Sequence, residues 1–460
     1  MCGLCPLALS CFAAMPLNVD VGLSDSDAES ETVAPHVPSP GRKVPVVKFA
    51  MKQKYCWFRK GAKVKPFKFP KHGVTVGGKP LRVQPALVSL KRVAPLSMEV
   101  VSRQDPGKKD NGAKKFCGKR MFKSFGTIRC FSASTTVTLS GASCRSITDL
   151  ANQVWHLKSY CDSLKAVNKS RAKMKFLSVP AAEYFSGLPL GWTSPHPGVD
   201  ASKLNAFFPT VEGIQKLNAI SLFSGVGGLE AGTRQWFRTV EMVEADSFCR
   251  SVLRARMADK SLDECPIKDD VVGYAPEGVA ARAEAILAGF PCQGVSCAGS
   301  QKGMGDVRTR LLREVFRVWD LLPKGRVLLL ENVLALFSSK PECRQLLEWL
   351  LKATEKRGLR LHWCALHLRN CGLPAGRGRV FLAATRSGDS FLKVKGAAQH
   401  INHFVDQRWN TMNTVAEPNW LCESRSETDK SRIHAMGNLV VPAQAFTAMC
   451  VLAELSKASD

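Results

Sequence analysis

The first forty residues contain no lysine or arginine, and residues 41–180 hold only five acidic side chains against 31 basic ones. The formal net charge of +26 therefore sits in one region, since residues 181–460 contribute only +5. A polyanion is the natural partner of such a block, and a solvated tail or targeting segment is the plainer alternative. No apolar run has membrane-spanning length, and the first fifteen residues lack the basic flank of a secretory signal, so neither is expected. Paired zinc-ligand spacing is missing too. Cys2 and Cys5 form a lone C-x-x-C, and Cys117, Cys130, Cys144 and Cys161 lie far apart. The seventeen cysteines are scattered through core-like segments, as at Cys249, Cys364 and Cys450, which points to a reducing compartment and to no metal site. There is no internal repeat.

With 460 residues the chain can form two or three domains with a substantial core. Residues 1–125 read as a disordered arm, acidic and then basic. Within it, Lys63 to Lys71 interleaves cations with aromatics, which suits phosphate contact and base stacking or a flexible linker. Residues 126–215 form a small N-terminal region with helical spacing at Leu150, Val154, Leu157 and Leu164. From 216 to 385, short apolar strands (219–223, 239–244, 285–288, 326–330, 360–366, 379–384) alternate with amphipathic helices (228–236, 247–257, 309–321, 342–357). That alternation predicts an α/β fold with a doubly wound, mostly parallel sheet, whose ligands sit at the carboxyl ends of strands. Residues 386–430 leave room for a short segment, and 431–460 for a closing motif and helix.

The motifs fall at those strand ends. Ile220 to Leu222 runs into Phe223-Ser224-Gly225-Val226-Gly227-Gly228, a glycine turn opening a helix, and the next strand ends in Glu244. Pro291-Cys292-Gln293 follows one apolar strand and Glu331-Asn332-Val333 closes another. A thiol paired with a carboxyl suits methylation of pyrimidine C5: a thiolate adds at C6 while an acid holds N3. Together these segments resemble the cytosine-5 DNA methyltransferase family, and the match runs without a gap from Gly289 to Leu311.

The resemblance implies a Rossmann-like sheet that uses S-adenosylmethionine, with Cys292 as nucleophile and Glu331 as acid. Arg379 would bind the cytosine O2, with Arg377 facing the same site. Phe223, Ser224, Gly225, Gly227 and Gly228 would contact the cofactor's methionine part, Glu244 its ribose, and Asp270 its adenine amino group. Val271 and Phe290 would line the ring, and Leu311, Asn438 and Leu439 would complete the pocket. Gln293, Ser296 and Arg308 match positions that contact the flipped nucleotide or its phosphates. Asp246 reads as a helix N-cap rather than a ligand.

The chain also departs from the pattern. Ala245 stands where an aromatic is common, Ala375 where Gln is usual, and only 386–436 is available for target recognition. The segment Ala181 to Thr193, with Glu183 and Gly191-Trp192-Thr193, resembles one that some members carry after recognition; here it precedes the glycine turn. It implies that part of the recognition machinery has moved N-terminal, and a chance turn packed under the core is the alternative. The expected partners are double-stranded DNA and S-adenosylmethionine, with no membrane and protein partners unknown. Methylation of tRNA and a silent DNA-binding paralogue stay open as other readings. The expected compartment is the nucleus in a eukaryotic host, where Lys108-Lys109 and Lys114-Lys115 would serve import, and the cytoplasm otherwise.

Overall fold

The computed structural model describes residues 69–76, 79–83, 176–291, 307–372, 377–392, 394, 396–401, 403–404, 421–422 and 424–457. Its strands are β1 His72–Val76, β2 Lys79–Arg82, β3 Phe176–Leu177, β4 Leu217–Leu222, β5 Phe237–Val243, β6 Ile267–Lys268, β7 Ala285–Ala288, β8 Val327–Val333, β9 Leu359–His367, β10 Gly378–Arg386 and β11 Leu421–Cys422. The helices are α1 Val179–Phe185, α2 Ala201–Phe207, α3 Gly228–Thr233, α4 Ser247–Ala258, α5 Val307–Asp320, α6 Pro341–Lys356, α7 Glu427–Asn438 and α8 Pro442–Lys457. Local chemistry sets several of their starts. Asp246 caps α4 by accepting from the Cys249 N–H at 2.8 Å, Pro341 begins α6, and Ser426 with Asp429 forms a capping box on α7.

Nine strands form one sheet in the order β2-β1-β9-β10-β8-β7-β4-β5-β6. The pairs β4–β5, β4–β7, β5–β6 and β7–β8 are parallel, and every residue of β7 is fully buried, as strands covered on both faces must be. The chain leaves β4 toward β5 on one side and returns at β7 on the other, so the crevice between their carboxyl ends is a topological switch point. β10 runs antiparallel to both β8 and β9. Its first residues therefore lie beside the last residues of β8, with Arg379 opposite Val333 and Phe381 opposite Glu331.

Apolar clusters cover both faces of the sheet. One gathers α5 and α6 residues such as Phe316, Trp319 and Leu350; the other gathers α8, α3 and α4. The stretch Glu427–Lys457 is apolar and long enough to cross a membrane by composition, which the sequence reading missed, but 94% of its window is buried inside the protein. It contains the central helix of a core. α8 lies against α3, where Gly232 brings the two backbones together: a Cβ there would come within 2.3 Å of the Pro442 carbonyl.

The arm expected over 1–125 is corrected within its length. Residues 72–76 and 79–82 form the antiparallel pair β1–β2, and β1 adds to the sheet edge at β9. Phe69, expected to be available for stacking on bases, is instead buried, with ring centroids 4.8 Å from Phe337 and 4.9 Å from Trp363. The Trp363 indole N–H donates to the Pro70 carbonyl at 2.9 Å, and the Leu361 N–H to Thr75 Oγ1 at 2.8 Å. Pro and Gly punctuation hid a strand pair whose partner strand lies almost 290 residues downstream. The helix expected over 147–165 lies outside the described residues. Phe69→Ala is predicted to cost about 3 kcal/mol in urea denaturation; a free arm would leave the midpoint within about 0.5 kcal/mol of wild type.

Candidate active site

At the switch point, β4 ends in a tightly folded turn. Phe223 adopts φ of 59°, a left-handed conformation that costs a bulky residue energy and is held by its N–H donating to the Val243 carbonyl at 2.8 Å. Gly225 (φ 57°) and Gly227 (φ 80°) take the same region without a Cβ to clash. Gly228 opens α3 against the returning C-terminal segment, and a Cβ on it would lie 1.9 Å from the Val440 carbonyl. Only glycine fits there. Glu244 spans the turn and the next helix: its Oε2 accepts from the Gly225 N–H at 2.7 Å and its Oε1 from the Asp246 N–H at 2.8 Å. Burial raises the Glu244 pKa, opposed by those two backbone hydrogen bonds.

Val271 and Phe290 belong to the apolar cluster that covers one face of the sheet, and Phe223 and Leu311 pack against it. Ser224 and Leu439 are also buried, whereas Asp270, two residues past β6, and Asn438, the last residue of α7, are exposed. Asp270 Oδ1 accepts from the Val272 N–H at 2.8 Å, which orders the loop that carries it.

Gly289 marks where the ends of β7, β8 and β4 and the returning C-terminal segment converge. A Cβ built on it would stand 3.6 Å from Glu331 Oε2, 3.6 Å from Val440 Cγ2 and 3.9 Å from the Phe223 carbonyl. The residues after Gly289 are Phe290, Pro291 and Cys292. Cys292, Gln293 and Ser296 lie outside the described residues, as does Ala375; Arg308 lies in the first turn of α5, and its side chain is not described. Asn332, given no role by the sequence, donates through Nδ2 to the Phe290 carbonyl at 3.2 Å and so ties the end of β8 to the backbone entering the Pro-Cys segment.

Glu331 is 6% exposed, with Oε1 2.8 Å from Arg379 Nε. Burial raises its pKa, and the charges of Arg379 and Arg377 oppose the rise without cancelling it. Because the folded pKa lies above the unfolded one, the stability this carboxyl contributes is complete below the ordinary carboxylate range and is lost as pH rises through the raised value.

The two arginines do different things. Arg379 meets the acid. Arg377, expected to face the site beside it, turns its guanidinium to the α7–α8 junction, donating to the carbonyls of Met436 (3.4 Å), Gly437 (3.1 Å) and Leu439. Gln444, in the first turn of the mostly apolar α8, donates from Nε2 to the carbonyls of Leu366 (2.9 Å) and Arg377 (3.3 Å) and holds that backbone in place. A long polar side chain between Ala443 and Ala445 was the signal the sequence offered. Arg377→Met is predicted to cost roughly 3 kcal/mol, because three carbonyls lose a charged donor. Arg379→Met should change stability by about 1 kcal/mol or less, since Glu331 can take up a proton when its partner is removed. Urea denaturation of the two variants checks the split.

Residues 217–438 match the C-5 cytosine-specific DNA methylase family. The type II methyltransferase M.AquIA of Picosynechococcus is 32% identical over 183 residues, which is 37% of this chain and 73% of that protein. M.NlaX of Neisseria lactamica is 27% identical over 207 residues, 44% of this chain and 63% of that one, so the chain spans less than two thirds of this second relative. The structure of the Entamoeba histolytica methyltransferase EhMeth aligns at 12% identity with a TM-score of 0.38, covering 52% of this chain and 98% of that chain. With glycine turn, acid and returning C-terminal segment assembled at one switch point, and with the match to M.AquIA covering most of that protein, the chain belongs to the C-5 cytosine-specific DNA methylase family.

Proposed function

We propose that this protein methylates C5 of cytosine in DNA, with S-adenosylmethionine as methyl donor and Cys292 as nucleophile. One observation carries the reading: a buried carboxyl, Glu331, poised toward protonation 2.8 Å from Arg379, beside the glycine that leads to Cys292. The donor set also suits the cofactor. Each Glu244 oxygen accepts one backbone N–H and keeps a lone pair for a ribose hydroxyl, and the Phe223 cluster offers an apolar wall for adenine.

When bound, the cofactor supplies the methyl group. The rest is the work of this chain. The target base must leave the stack before a thiol can reach it. The Cys292 thiolate then adds to C6 while Glu331 donates its proton toward N3, and electron density moves onto C5. Arg379 holds Glu331 in position and offers its guanidinium to the base carbonyl. After methylation, the C5 proton passes to water, the 5,6 double bond re-forms and expels the thiolate, and N3 returns its proton to Glu331. Gln293, Ser296 and Arg308 are proposed to contact the extruded nucleotide and its flanking phosphates. The basic block 41–180 is proposed to attract the duplex electrostatically. M.AquIA and M.NlaX come from bacteria, so the nuclear expectation draws no support from them.

The test is transfer of a tritiated methyl group from S-adenosylmethionine to duplex DNA, with tRNA in parallel. Incorporation into DNA is expected; incorporation into tRNA alone would overturn the substrate assignment. Glu331→Gln should lower kcat on the order of 10²–10⁴-fold. Wild-type activity should fall as pH rises through the raised Glu331 pKa, and the Gln variant should lack that alkaline limb.

A further inference from the structure

The segment 176–199 lies upstream of the matched domain, yet it is built into the walls of the cofactor crevice. Trp192 is fully buried, and its indole N–H donates to the carbonyl of Val226, the residue between Gly225 and Gly227, at 2.9 Å. Glu183 on α1 is also fully buried. Its Oε2 accepts from the Gly191 N–H at 2.8 Å, and its Oε1 from the Thr193 N–H at 2.8 Å, the Thr193 hydroxyl at 2.5 Å and Arg432 at 2.9 Å. Arg432 belongs to α7, the helix that ends at Asn438, and it also donates to Thr193 Oγ1 at 3.0 Å. From α4, the helix following Glu244, buried Arg256 donates to the carbonyls of Gly191 (2.8 Å), Trp192 and His196 (2.9 Å), and it pairs with Asp259 at 2.9 Å. A short ladder, Leu421 opposite Leu177 and Cys422 opposite Phe176, ties the same segment to the strand just before α7.

We propose that Trp192 and Glu183 are positioning residues of the cofactor crevice, acting through the glycine turn and through α7. Three walls of the crevice (turn, α4 and α7) share no covalent neighbourhood, and this segment is hydrogen-bonded to each of them. A buried carboxylate–guanidinium contact adds little net stability but imposes one geometry, because leaving either charge unpaired is costly. The indole does the same for a buried carbonyl, which water cannot reach. Sequence order places the segment first; the fold places it against the last motif.

The inference rests on the cofactor reading above. Its test is isothermal titration of the full chain with S-adenosylhomocysteine, alongside duplex-DNA binding and steady-state kinetics. Trp192→Phe keeps a six-membered aromatic ring and removes the pyrrole ring with its N–H donor. It should weaken S-adenosylhomocysteine binding on the order of tenfold. It should also raise the KM for S-adenosylmethionine with kcat at saturation nearly unchanged, and leave DNA affinity within about twofold. Glu183→Gln should shift the same parameters in the same direction, and it decides the matter if the indole variant does not fold. Wild-type affinity in these variants, whatever their melting temperature, would overturn the inference. A wild-type chain that binds no S-adenosylhomocysteine would remove the cofactor reading itself, a separate failure that takes this inference with it.

Discussion

The site depends on β10 entering the sheet backwards. Were it parallel to β8 over the same span, Arg379 would lie beside Val327, about 13 Å from the acid at 3.3 Å per residue. The antiparallel register instead puts Arg379 opposite Val333, at the rim where β8 delivers Glu331. That contact sets the chemistry. Burial alone would keep Glu331 neutral and a nearby cation alone would keep it ionised; here burial prevails and the arginine moderates it. The result is a carboxyl held toward its protonated form, as the acid role proposed for it requires.

A second constraint closes the crevice from the C-terminal side. α8 is among the most deeply buried elements, and the segment before it approaches α3 so closely that Gly228 and Gly232 leave no room for a side chain. Arg377 collects the carbonyls that end α7, and Gln444 reaches back from α8 to the Arg377 backbone. The two arginines thus act at successive levels: one holds the wall of the crevice, and the other meets the acid inside it.

Much of this was legible in the sequence because local pattern and chemistry agreed. Apolar runs such as Ala285 to Ala288 and Val327 to Leu330 marked strands, the turn at Gly225 to Gly228 marked the crevice, and Asp246 declared itself a cap. What escaped was non-local. Two arginines two residues apart read as one face, but Arg377 precedes the regular strand and the α7–α8 junction captures it. The β1–β2 unit pairs across a sequence distance that no periodicity reports, in a stretch whose Lys, Pro and Gly content argued for an arm. Glu183 and Trp192 were visible as part of a displaced motif, but their partners Arg432 and Val226 could be named only once the chain was folded.

Everything in the proposed mechanism turns on a covalent attack on cytosine from Cys292, with Glu331 as the acid. The most direct measurement is trapping on duplex DNA that carries 5-fluorocytosine, in the presence of S-adenosylmethionine. Fluorine at C5 cannot leave as a proton does, so the thiolate stays bonded to C6. A denaturation-resistant protein–DNA adduct that disappears in Cys292→Ala is expected. A wild-type chain that binds both DNA and cofactor yet forms no such adduct would contradict it.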